Sequence, residues 1–485
     1  MANAGPAVTK YDAVVVGAGP NGLTAAARLA TAGWHVLVLE RSARIGGGSR
    51  TEPFREPSAV YDVCSTAHPF GVASPAFAAL DLERRGLRWC HAPVPLAHPF
   101  DDGSAAVLHR DVDTTAGGLG LDGPSYRSLL DPLLTRWPDI CDAFLAPLLP
   151  LPKHPVAMAR FGLAGLPSAA MLVRRFQEPA TRGLVAGLAA HSFLPLDHLL
   201  TGGIALSLGL AAHAVGWPVA EGGSQAIVDA LAAVITQHGG EIVTEHDVTS
   251  LGSIPPAAAV LLDVTPRQLV AMAGGHLDGW RGWRLRQWRY GPAACKADYL
   301  LSGPMPWTNE TCGQAGVLHL GGRFEDIARA ERATSGGTVA EHPFVLVSQP
   351  VLADPGRAPA GRHVVWAYAH VPHGSGVDES ARIEVQFDRF APDWRDLVVE
   401  KRVKTATEFQ AYDPNDIGGD IAGGSLGRGQ LVLRPWGVLD PYRTPLPDVW
   451  LCSASTPPGA GAHGMCGWHA AGRVLSARGR RSRTA

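Results

Sequence analysis

The chain has 485 residues, of which 46% are hydrophobic and 18% charged, so it is long enough for two or three domains with large apolar cores. Its formal net charge of −2 gives no long-range attraction to nucleic acid, and no nucleic-acid partner is expected. Its seven cysteines are scattered and never spaced C-x-x-C, which argues against a secreted disulfide framework and against a zinc site, so no metal is expected.

The sequence predicts no targeting segment and no membrane span. The first ten residues lack a charged region followed by an apolar one, which is the pattern of a signal peptide. Residues 199–217 are uncharged and nearly long enough to cross a bilayer, but four glycines and several polar side chains interrupt them. We therefore expect a buried helix here, in a soluble cytoplasmic protein.

The first predicted elements form one βαβ unit. Tyr11–Val16 is a short β-branched run, which is typical of a strand buried on both faces of a parallel sheet. A glycine-rich loop ends this strand, and residues 23–32 form an Ala-rich helix that Gly33 closes. The second parallel strand is predicted at His35–Glu40.

The loop of this unit has the spacing of a dinucleotide-binding motif. Gly17 allows the tight turn out of the strand, Gly19 lets the backbone approach a pyrophosphate, and Gly22 lets the helix pack closely on the sheet. The N-terminus of the helix then offers unpaired N–H groups and a partial positive charge to the phosphates. Glu40, at the end of the second strand, would accept hydrogen bonds from the adenosine ribose, which disfavours NADP.

Two further α/β stretches follow. Residues 225–238 are predicted as a helix, 241–244 and 258–263 as strands, 449–453 as a strand and 464–477 as a helix. Between them, residues 71–214 are apolar and mostly helical, whereas residues 284–444 alternate strands (317–320, 344–348 and 363–369) with helices such as 379–390. We predict a discontinuous nucleotide domain (1–70, 215–275 and 445–485) and a substrate domain (71–214 and 276–444).

A second glycine cluster favours FAD over NAD. Gly46, Gly47 and Gly48 come shortly after Arg41, where a simple NAD dehydrogenase would not need them. Here the sequence resembles the two-dinucleotide-fold flavoproteins of the glutathione-reductase and amine-oxidase type, in which paired glycines let the backbone pass close to the flavin side of FAD. The resemblance implies an α/β fold with a Rossmann-type FAD-binding domain and an inserted α+β substrate domain.

The C-terminal part of the chain narrows this resemblance. Residues 442–471, with 221–224, 262–267, 371–375 and 418–421, resemble the phytoene desaturase-like flavoproteins, in particular the branch related to pyridine nucleotide-disulphide oxidoreductase domain-containing protein 2. The resemblance covers nearly the whole chain. One departure is the short link 251–256, where relatives usually have a β-hairpin between the strands at Val248 and Val260.

The resemblance implies a set of cofactor-binding residues. The glycine loop would hold the pyrophosphate, the second glycine cluster would border the ribityl region, and the backbone of Val248 would read the adenine. The segments before and at the start of the last helix would lie against the isoalloxazine. The full set is Gly17, Gly19, Pro20, Asn21, Gly22, Glu40, Arg41, Gly46, Gly47, Gly48, Val248, Ala454, Ser455, Gly464 and Met465.

No catalytic triad or paired carboxylate is visible in the sequence, as expected where a cofactor does the chemistry and the protein orients the substrate and excludes water. His463, in the segment expected to face the flavin, is the candidate catalytic acid or base, and support of its own loop is the alternative role. Residues 459–464 also fit the dinucleotide motif, but no acidic residue follows at the proper distance, so no second dinucleotide site is expected.

The expected function is that of an FAD-dependent oxidoreductase or desaturase, which takes hydride from a largely apolar molecule (lipid, polyene or isoprenoid-like) to flavin N5. The alternatives are a flavin amine or amino-acid oxidase, and a flavin-fold binding or assembly protein with little catalysis. The apolar stretch 143–217 favours an apolar substrate. With Arg174 and Arg175 it also predicts a weak peripheral membrane contact. No prediction follows for the substrate identity, electron acceptor or oligomeric state.

Overall fold

The structure, a computed structural model, describes residues 10–148, 151–277, 279–427, 429–436 and 439–484. Within these ranges it has sixteen strands, arranged in four sheets, and seventeen α-helices. The strands are β1 (Tyr11–Val16), β2 (Val36–Leu39), β3 (Thr51–Pro53), β4 (Val60–Asp62), β5 (Trp89–Cys90), β6 (Val94–Pro99), β7 (Ala105–Leu108), β8 (Val219–Ala220), β9 (Glu241–Val243), β10 (Ala257–Leu262), β11 (Ala293–Leu301), β12 (Ala315–Leu320), β13 (Val345–Ser348), β14 (His363–Val371), β15 (Val398–Lys404) and β16 (Val449–Leu451).

The helices connect these strands and cover the two larger sheets. They are α1 (Pro20–Thr31), α2 (Pro69–Val72), α3 (Pro75–Ala79), α4 (Val112–Gly118), α5 (Gly123–Leu134), α6 (Trp137–Phe144), α7 (Pro155–Gly165), α8 (Ala169–Leu172), α9 (Pro179–Ala190), α10 (Thr201–Val215), α11 (Gln225–Gln237), α12 (Pro266–Ala273), α13 (Gly279–Arg286), α14 (Phe324–Ser335), α15 (Ser380–Phe390), α16 (Ala406–Tyr412) and α17 (Met465–Thr484).

The first sheet is parallel and has the strand order β16-β10-β1-β2-β9. Alternate residues of its central strand are buried on opposite faces: Ala13 and Val15 pack with α1, α11 and α17, whereas Val14 and Val16 pack with α12. A strand buried on both faces needs an apolar residue at every position, which explains the continuous β-branched run in the sequence. The predicted βαβ unit is confirmed.

The structure departs from the predicted elements at two helix boundaries and at one strand, and the other boundaries agree to within two residues. The first helix begins at Pro20 rather than at residue 23, because proline fits the first helical position and Gly19 serves as the N-cap. The last helix runs from Met465 to Thr484, beyond the predicted end at residue 477. The strand expected at Val248 is wrong: the chain from residue 244 to 250 is irregular, although Val248 is buried.

The second sheet is mixed, with the order β15-β11-β14-β13-β12-β6-β7, and only its β6–β12 pair is parallel among the described strands. The helical layer that includes α5, α9 and α10 covers one face through a large apolar core. Helix α15 packs against the other face. The predicted strands 317–320, 344–348 and 363–369 are found here as β12, β13 and β14, and helix 379–390 as α15.

The two large sheets draw their strands from different parts of the chain. Every strand of the first sheet lies within 1–70, 215–275 or 445–485, and every strand of the second lies within 71–214 or 276–444. The domain boundaries themselves stay a prediction. Helix α10, which contains most of the apolar stretch 199–217, is largely buried, as expected. No single helix in the described ranges has the length and hydropathy to cross a membrane.

Candidate active site

Two adjoining cavities follow the carboxyl end of the parallel sheet. The first, of about 100 Å³, lies beside the glycine loop and the end of β2. The second, of about 410 Å³, extends from the same loop into the helical layer and onto the second sheet. The residues that line both cavities are Gly19, Gly47, Asp263, Asp413 and Asn415. The two cavities therefore form one groove, with a narrow end and a wide end.

The glycine loop crosses the junction of the two cavities. Gly17 has a φ of +99°, which favours glycine, and a Cβ added to Gly22 would lie 2.1 Å from the Gly17 carbonyl oxygen. Neither the Gly19 nor the Asn21 N–H has a hydrogen-bond acceptor among the described residues. These two donors point out of the N-terminal turn of α1, where the helix dipole attracts an anion, so the loop fits a pyrophosphate.

Glu40 lines the narrow end and is held rigidly. Its carboxylate accepts hydrogen bonds from the Ala18 N–H at 2.8 Å and the Ser42 N–H at 2.9 Å, and it pairs with Arg50 at 3.2 Å. A carboxylate has about four acceptor positions, so one remains for a ribose hydroxyl. Arg41 and Val248 line the same end. This end therefore fits the ribose and adenine side of a dinucleotide.

The second glycine cluster lies directly against the first. The Gly46 N–H donates to the Ala18 carbonyl at 2.8 Å. Gly47 has a φ of +52°, and a Cβ added to it would lie 3.2 Å from the Gly19 Cα. Gly47 and Gly48 line the wide cavity together with Gly19. The two glycine loops thus meet backbone to backbone and form one wall of the groove, without side chains that would keep a cofactor away.

Asp263 is a buried carboxyl group that sequence reasoning missed. It follows β10, lines both cavities, and accepts the Gly22 N–H at 2.8 Å. Burial, together with the nearby Asp413 and Glu40, raises its pKa to about 8, although the hydrogen bond from Gly22 acts in the opposite direction. Asp263 is therefore protonated at neutral pH, which removes a charge that would repel a pyrophosphate. An acidic residue at the end of the strand next to β1 was the available signal.

The C-terminal segment closes the wide end of the groove. Ala454, Ser455 and His463 line the cavity, and the Ser455 hydroxyl donates to the Gly423 carbonyl at 2.6 Å. The Arg434 guanidinium, which sequence reasoning also missed, donates to the Ala454 carbonyl at 2.8 Å and is buried. This segment is therefore fixed from both sides.

Four predicted site residues do not line the groove. Gly22 and Gly46 lie behind it and allow close backbone contact. Gly464, with a φ of +68°, precedes α17, and a Cβ there would lie 2.1 Å from the Thr24 Oγ1. Met465 is buried in the core between the first sheet and its helices. Of the predicted set, the residues that line the groove are Gly17, Gly19, Pro20, Asn21, Glu40, Arg41, Gly47, Gly48, Val248, Ala454, Ser455 and His463.

His463 is tied to its own loop. Its Nδ1 accepts the Met465 N–H at 3.0 Å, and its ring also bonds to the Ala460 backbone. Burial lowers its pKa to about 4, so the ring is neutral at physiological pH. These contacts satisfy an N–H at the start of α17 and are those of a loop support. A catalytic role for His463 stays a prediction.

The wide end is mostly apolar. Its floor is the second sheet, which contributes Val317, Leu346, Trp366 and Tyr368, and its roof is the helical layer. The apolar roof residues are Phe70, Phe144, Leu145, Phe193, Ile204, Leu208 and Trp217. These residues come from segments far apart in the sequence. The wide end can therefore hold an apolar molecule beside the segment that fits the flavin.

Comparisons with known proteins agree with this architecture. A family model for NAD(P)-binding Rossmann-like domains matches residues 15–81. The mouse protein named pyridine nucleotide-disulfide oxidoreductase domain-containing protein 2 is 24% identical over 95% of this chain and 93% of its own length. One of the subunits of limonene dehydrogenase from Castellaniella defragrans is 31% identical over 29% of this chain and 25% of its own length. The chain is thus related to oxidoreductases.

Solved structures match nearly the whole chain. An oxidoreductase from Methanosarcina mazei has a TM-score of 0.65 at 16% identity, covering 96% of this chain and 99% of its own. Putrescine oxidase bound to putrescine has a TM-score of 0.62 at 16% identity, with the same coverage. A CLA-producing fatty acid isomerase from P. acnes has a TM-score of 0.58 at 14% identity, covering 96% and 98%. At these identities the likeness shows the fold, and the predicted fold class is confirmed.

Proposed function

We propose that this chain is an FAD-dependent oxidoreductase that oxidises a largely apolar small molecule. The observation that carries the proposal is the continuity of the groove: the dinucleotide end and the apolar end share Gly19, Gly47 and Asp263 in their walls. A cofactor laid along the loop would extend its reactive ring into the apolar end. When bound, FAD would supply the hydride acceptor at its flavin N5.

The chain's own residues would bind the cofactor, orient the substrate and enclose the reaction site. The unpaired N–H groups of Gly19 and Asn21 would bind the pyrophosphate, and Glu40 would hold the ribose. Ala454 and Ser455, fixed by Arg434 and Gly423, would form one wall of the ring site. The aromatic floor, with Trp366 and Tyr368 at 5.2 Å between ring centroids, would exclude water from the substrate.

Amine oxidation is the second candidate. Asp413 and Asp416 line the same cavity as the aromatic pair, and carboxylates with aromatic rings suit a cationic amine. Burial raises the pKa of both carboxyl groups, so the wall carries less negative charge than its composition suggests. This favours the apolar substrate. The match to putrescine oxidase concerns the fold and leaves the choice to experiment.

The visible spectrum of the purified protein tests the cofactor. We expect the visible absorption bands of oxidised flavin, since FAD would be the redox cofactor. Anaerobic bleaching then tests the substrate, with limonene, geraniol and linoleic acid compared with putrescine and benzylamine. Bleaching by the apolar compounds alone supports the proposal. Bleaching by the amines alone would establish the oxidase, and bound flavin that no compound bleaches would favour a binding or assembly protein.

We also propose that weak contact with an anionic membrane brings the substrate to the cavity. The contact surface, here called the α7–α8 surface, consists of Val156, Leu163, Leu166, Met171 and Leu199, all of which are exposed. The Leu200 N–H donates to the Leu166 carbonyl at 3.0 Å, which brings the loop before α10 against the end of α7. Exposed apolar side chains concentrated on one surface are typical of lipid contact.

Charge and position support this surface. Arg160, Arg174 and Arg175 are exposed on the same segments and would face anionic headgroups, each contributing about 1 kcal/mol. Helix α10 packs against α7 and lines the cavity through Ile204 and Leu208. Helix α10 thus contacts the helix that carries the surface and also lines the cavity.

Flotation with vesicles of phosphatidylcholine and phosphatidylserine tests the contact. We expect partial flotation at low salt that high salt weakens, because the arginines are screened. The double variant Leu163→Ser/Leu166→Ser should stop flotation. Leu121→Ser is the matched control, because Leu121 is 73% exposed but lies outside the surface. Absence of flotation of the unmodified protein at either salt concentration would overturn this part of the proposal.

A further inference from the structure

A pair of histidines lies at the edge of the apolar cavity. His191 follows α9 and lines the cavity, and its Nε2 lies 3.0 Å from the Nε2 of His319, which is on β12 and fully buried. Trp217 packs edge-on against both rings. Neither histidine contacts the glycine loop or the C-terminal segment through any hydrogen bond in the described ranges. The dinucleotide site does not explain this pair.

Both rings are neutral. Burial lowers the pKa of His191 to about 3 and that of His319 well below its usual value. Each neutral ring has one N–H and one lone pair, so one of the two Nε2 atoms donates to the other. Which ring is the donor determines what His191 presents to the cavity.

The buried surroundings of His319 fix the direction of this hydrogen bond. Its Nδ1 is buried without a partner, and a Cβ added to Gly187 would lie only 2.5 Å from it, so the backbone of α9 closes that side of the ring. An unpaired buried N–H costs more free energy than an unpaired lone pair. His319 therefore carries its proton on Nε2 and donates it to the Nε2 of His191.

The neighbouring His98 follows the same rule. Its Nε2 lies 2.7 Å from the Gly322 carbonyl, which can only accept, so the proton is on Nε2. Its Nδ1 is buried without a partner and is the lone pair. At His98 the carbonyl partner can only accept, so the direction of the hydrogen bond is certain. The buried nitrogen without a partner is the unprotonated one there, as we assign it at His319.

The tautomer of His191 follows. Because its Nε2 accepts, its proton is on Nδ1, which has no partner in the described structure and belongs to a side chain that lines the cavity. Three other polar groups of the cavity wall already have partners: the Ser207 hydroxyl donates to the Ile204 carbonyl, the Trp217 Nε1–H to the Leu208 carbonyl, and the Ser348 hydroxyl to the Gly316 carbonyl. His191 Nδ1–H is therefore a free donor in an apolar wall.

We infer that His191 Nδ1–H is a specificity-determining donor and that the substrate is an apolar molecule with a neutral oxygen: a hydroxyl, carbonyl or ether group. The inference rests on the proposed apolar substrate and adds a polar group to it. The oxygen is uncharged, because among the described residues that line the cavity Arg434 is the one arginine, its two Nη atoms donate to backbone carbonyls, and no lysine is present. A carboxylate bound against His191 would have no counter-charge there.

Displacement of diphenylhexatriene from the purified, flavin-loaded protein tests the inference without turnover. The competitors are 1-decanol, decylamine and undecane, which have equal numbers of heavy atoms. The measured quantity is the ratio of the decanol and undecane dissociation constants, compared between variants so that partitioning from water cancels. In His191→Leu/His319→Leu, which removes both partners and leaves no orphaned donor, we expect this ratio to shift roughly three- to ten-fold against decanol.

Two further variants sharpen the test. His191→Asn keeps an N–H near the Nδ1 position, so it should retain most of the preference for decanol. Tyr368→Phe removes the cavity hydroxyl that also lacks a partner in the described ranges, and it should leave the ratio unchanged. An unchanged ratio in the double leucine variant, or a ratio that shifts in Tyr368→Phe instead, would overturn the inference and leave the proposed function intact. Preferential binding of decylamine would overturn both, in favour of amine oxidation.

Discussion

The narrow and wide ends of the groove are built from different parts of the polypeptide. At the narrow end the backbone of two glycine loops meets within van der Waals distance, and a rigid carboxylate, Glu40, closes the site. At the wide end the walls are large side chains from α9, α10 and the second sheet. The first end has no room for an added methyl group, whereas side chains at the second can be exchanged for others of similar volume.

The difference teaches which property each end can control. A substitution does not remove a backbone N–H or carbonyl group, so the narrow end should bind one kind of cofactor in most variants. A substitution does replace a side chain, so residues at the wide end determine which substrate is bound. We therefore expect substitutions to lose effect on folding and cofactor binding from the narrow end to the wide end, in the order that follows.

The largest expected effect is on the helix that backs the glycine loop. A Cβ on Gly467 of α17 would lie 1.8 Å from the Asn21 carbonyl oxygen in α1, and backbone cannot yield as a side chain can. Gly467→Ala should lower the free energy of unfolding by at least about 3 kcal/mol in urea denaturation. Gly472→Ala is the matched control, because its Cβ would meet only the end of the Arg28 side chain, and a similar loss there would contradict the argument.

Gly19→Val tests cofactor retention directly. A branched side chain would occupy the place of the pyrophosphate and would approach Asp263, whose Oδ2 lies 3.1 Å from an added Cβ. We expect the folded variant to be purified without flavin, as measured by absorbance after gel filtration. Gly313→Val is the control, since nothing lies within 4 Å of its added Cβ. Near-normal flavin content in Gly19→Val would remove the dinucleotide assignment.

Glu40→Ala should weaken both the fold and the cofactor site. It leaves the buried Arg50 without its partner, which costs about 3 kcal/mol of unfolding free energy. Loss of the ribose contact should also make the binding free energy of FAD less favourable by roughly 1.5–3 kcal/mol, measured by titrating apoprotein with FAD. Glu40→Gln keeps the geometry, so its stability and FAD affinity should lie between those of Glu40→Ala and the unmodified protein. Equal FAD affinity in Glu40→Ala and the unmodified protein would assign the ribose to another residue.

Asp263 predicts a dependence of stability on pH. In the fold it keeps its proton up to about pH 8, whereas an unfolded aspartate ionises near 3.8. Between these values the folded state binds the extra proton, so this group lowers the free energy of unfolding as pH rises from about 4 to 8. Asp263→Asn keeps an acceptor for the Gly22 N–H without ionising, and it should flatten that part of the stability curve.

The measurement is urea denaturation of apoprotein at several pH values between 5 and 9. Asp229→Asn, at an exposed carboxyl group on α11, is the control and should give a curve parallel to that of the unmodified protein. Parallel curves for Asp263→Asn as well would mean that Asp263 is ionised in the fold.

The smallest effect is expected at the wide end. Ile204 of α10 is half-buried and lines the cavity. Ile204→Ala should leave flavin content unchanged and should weaken the binding of an apolar probe such as undecane roughly five-fold, because apolar contact is lost. Loss of flavin from this variant would show that the two ends are coupled and would break the comparison.

The same difference decides what the sequence could predict. The glycine loop, Glu40 and the β-branched strand depend on residues close in sequence, so their spacing predicted them. The position of Asp263 at the end of a predicted strand was a usable signal, but that β10 pairs with β1 is known only from the fold. Asp413 reaches the loop through the folding of the segment after α16, and nothing in its local sequence marks that meeting. His191 and His319 meet although they are 128 residues apart in the sequence, and their protonation depends on a backbone contact at Gly187.

The strand order of the parallel sheet also bears on how the protein folds during synthesis. β1, β2 and the glycine loop are the first described elements to leave the ribosome, whereas β10, between β1 and β16, leaves past the middle of the chain and α17 comes after residue 464. Until α17 has been synthesised, the apolar face of α1 that it covers is exposed to solvent. Nascent chains should therefore expose this apolar face until α17 has been synthesised, and flavin should be taken up only after α17 has packed against α1.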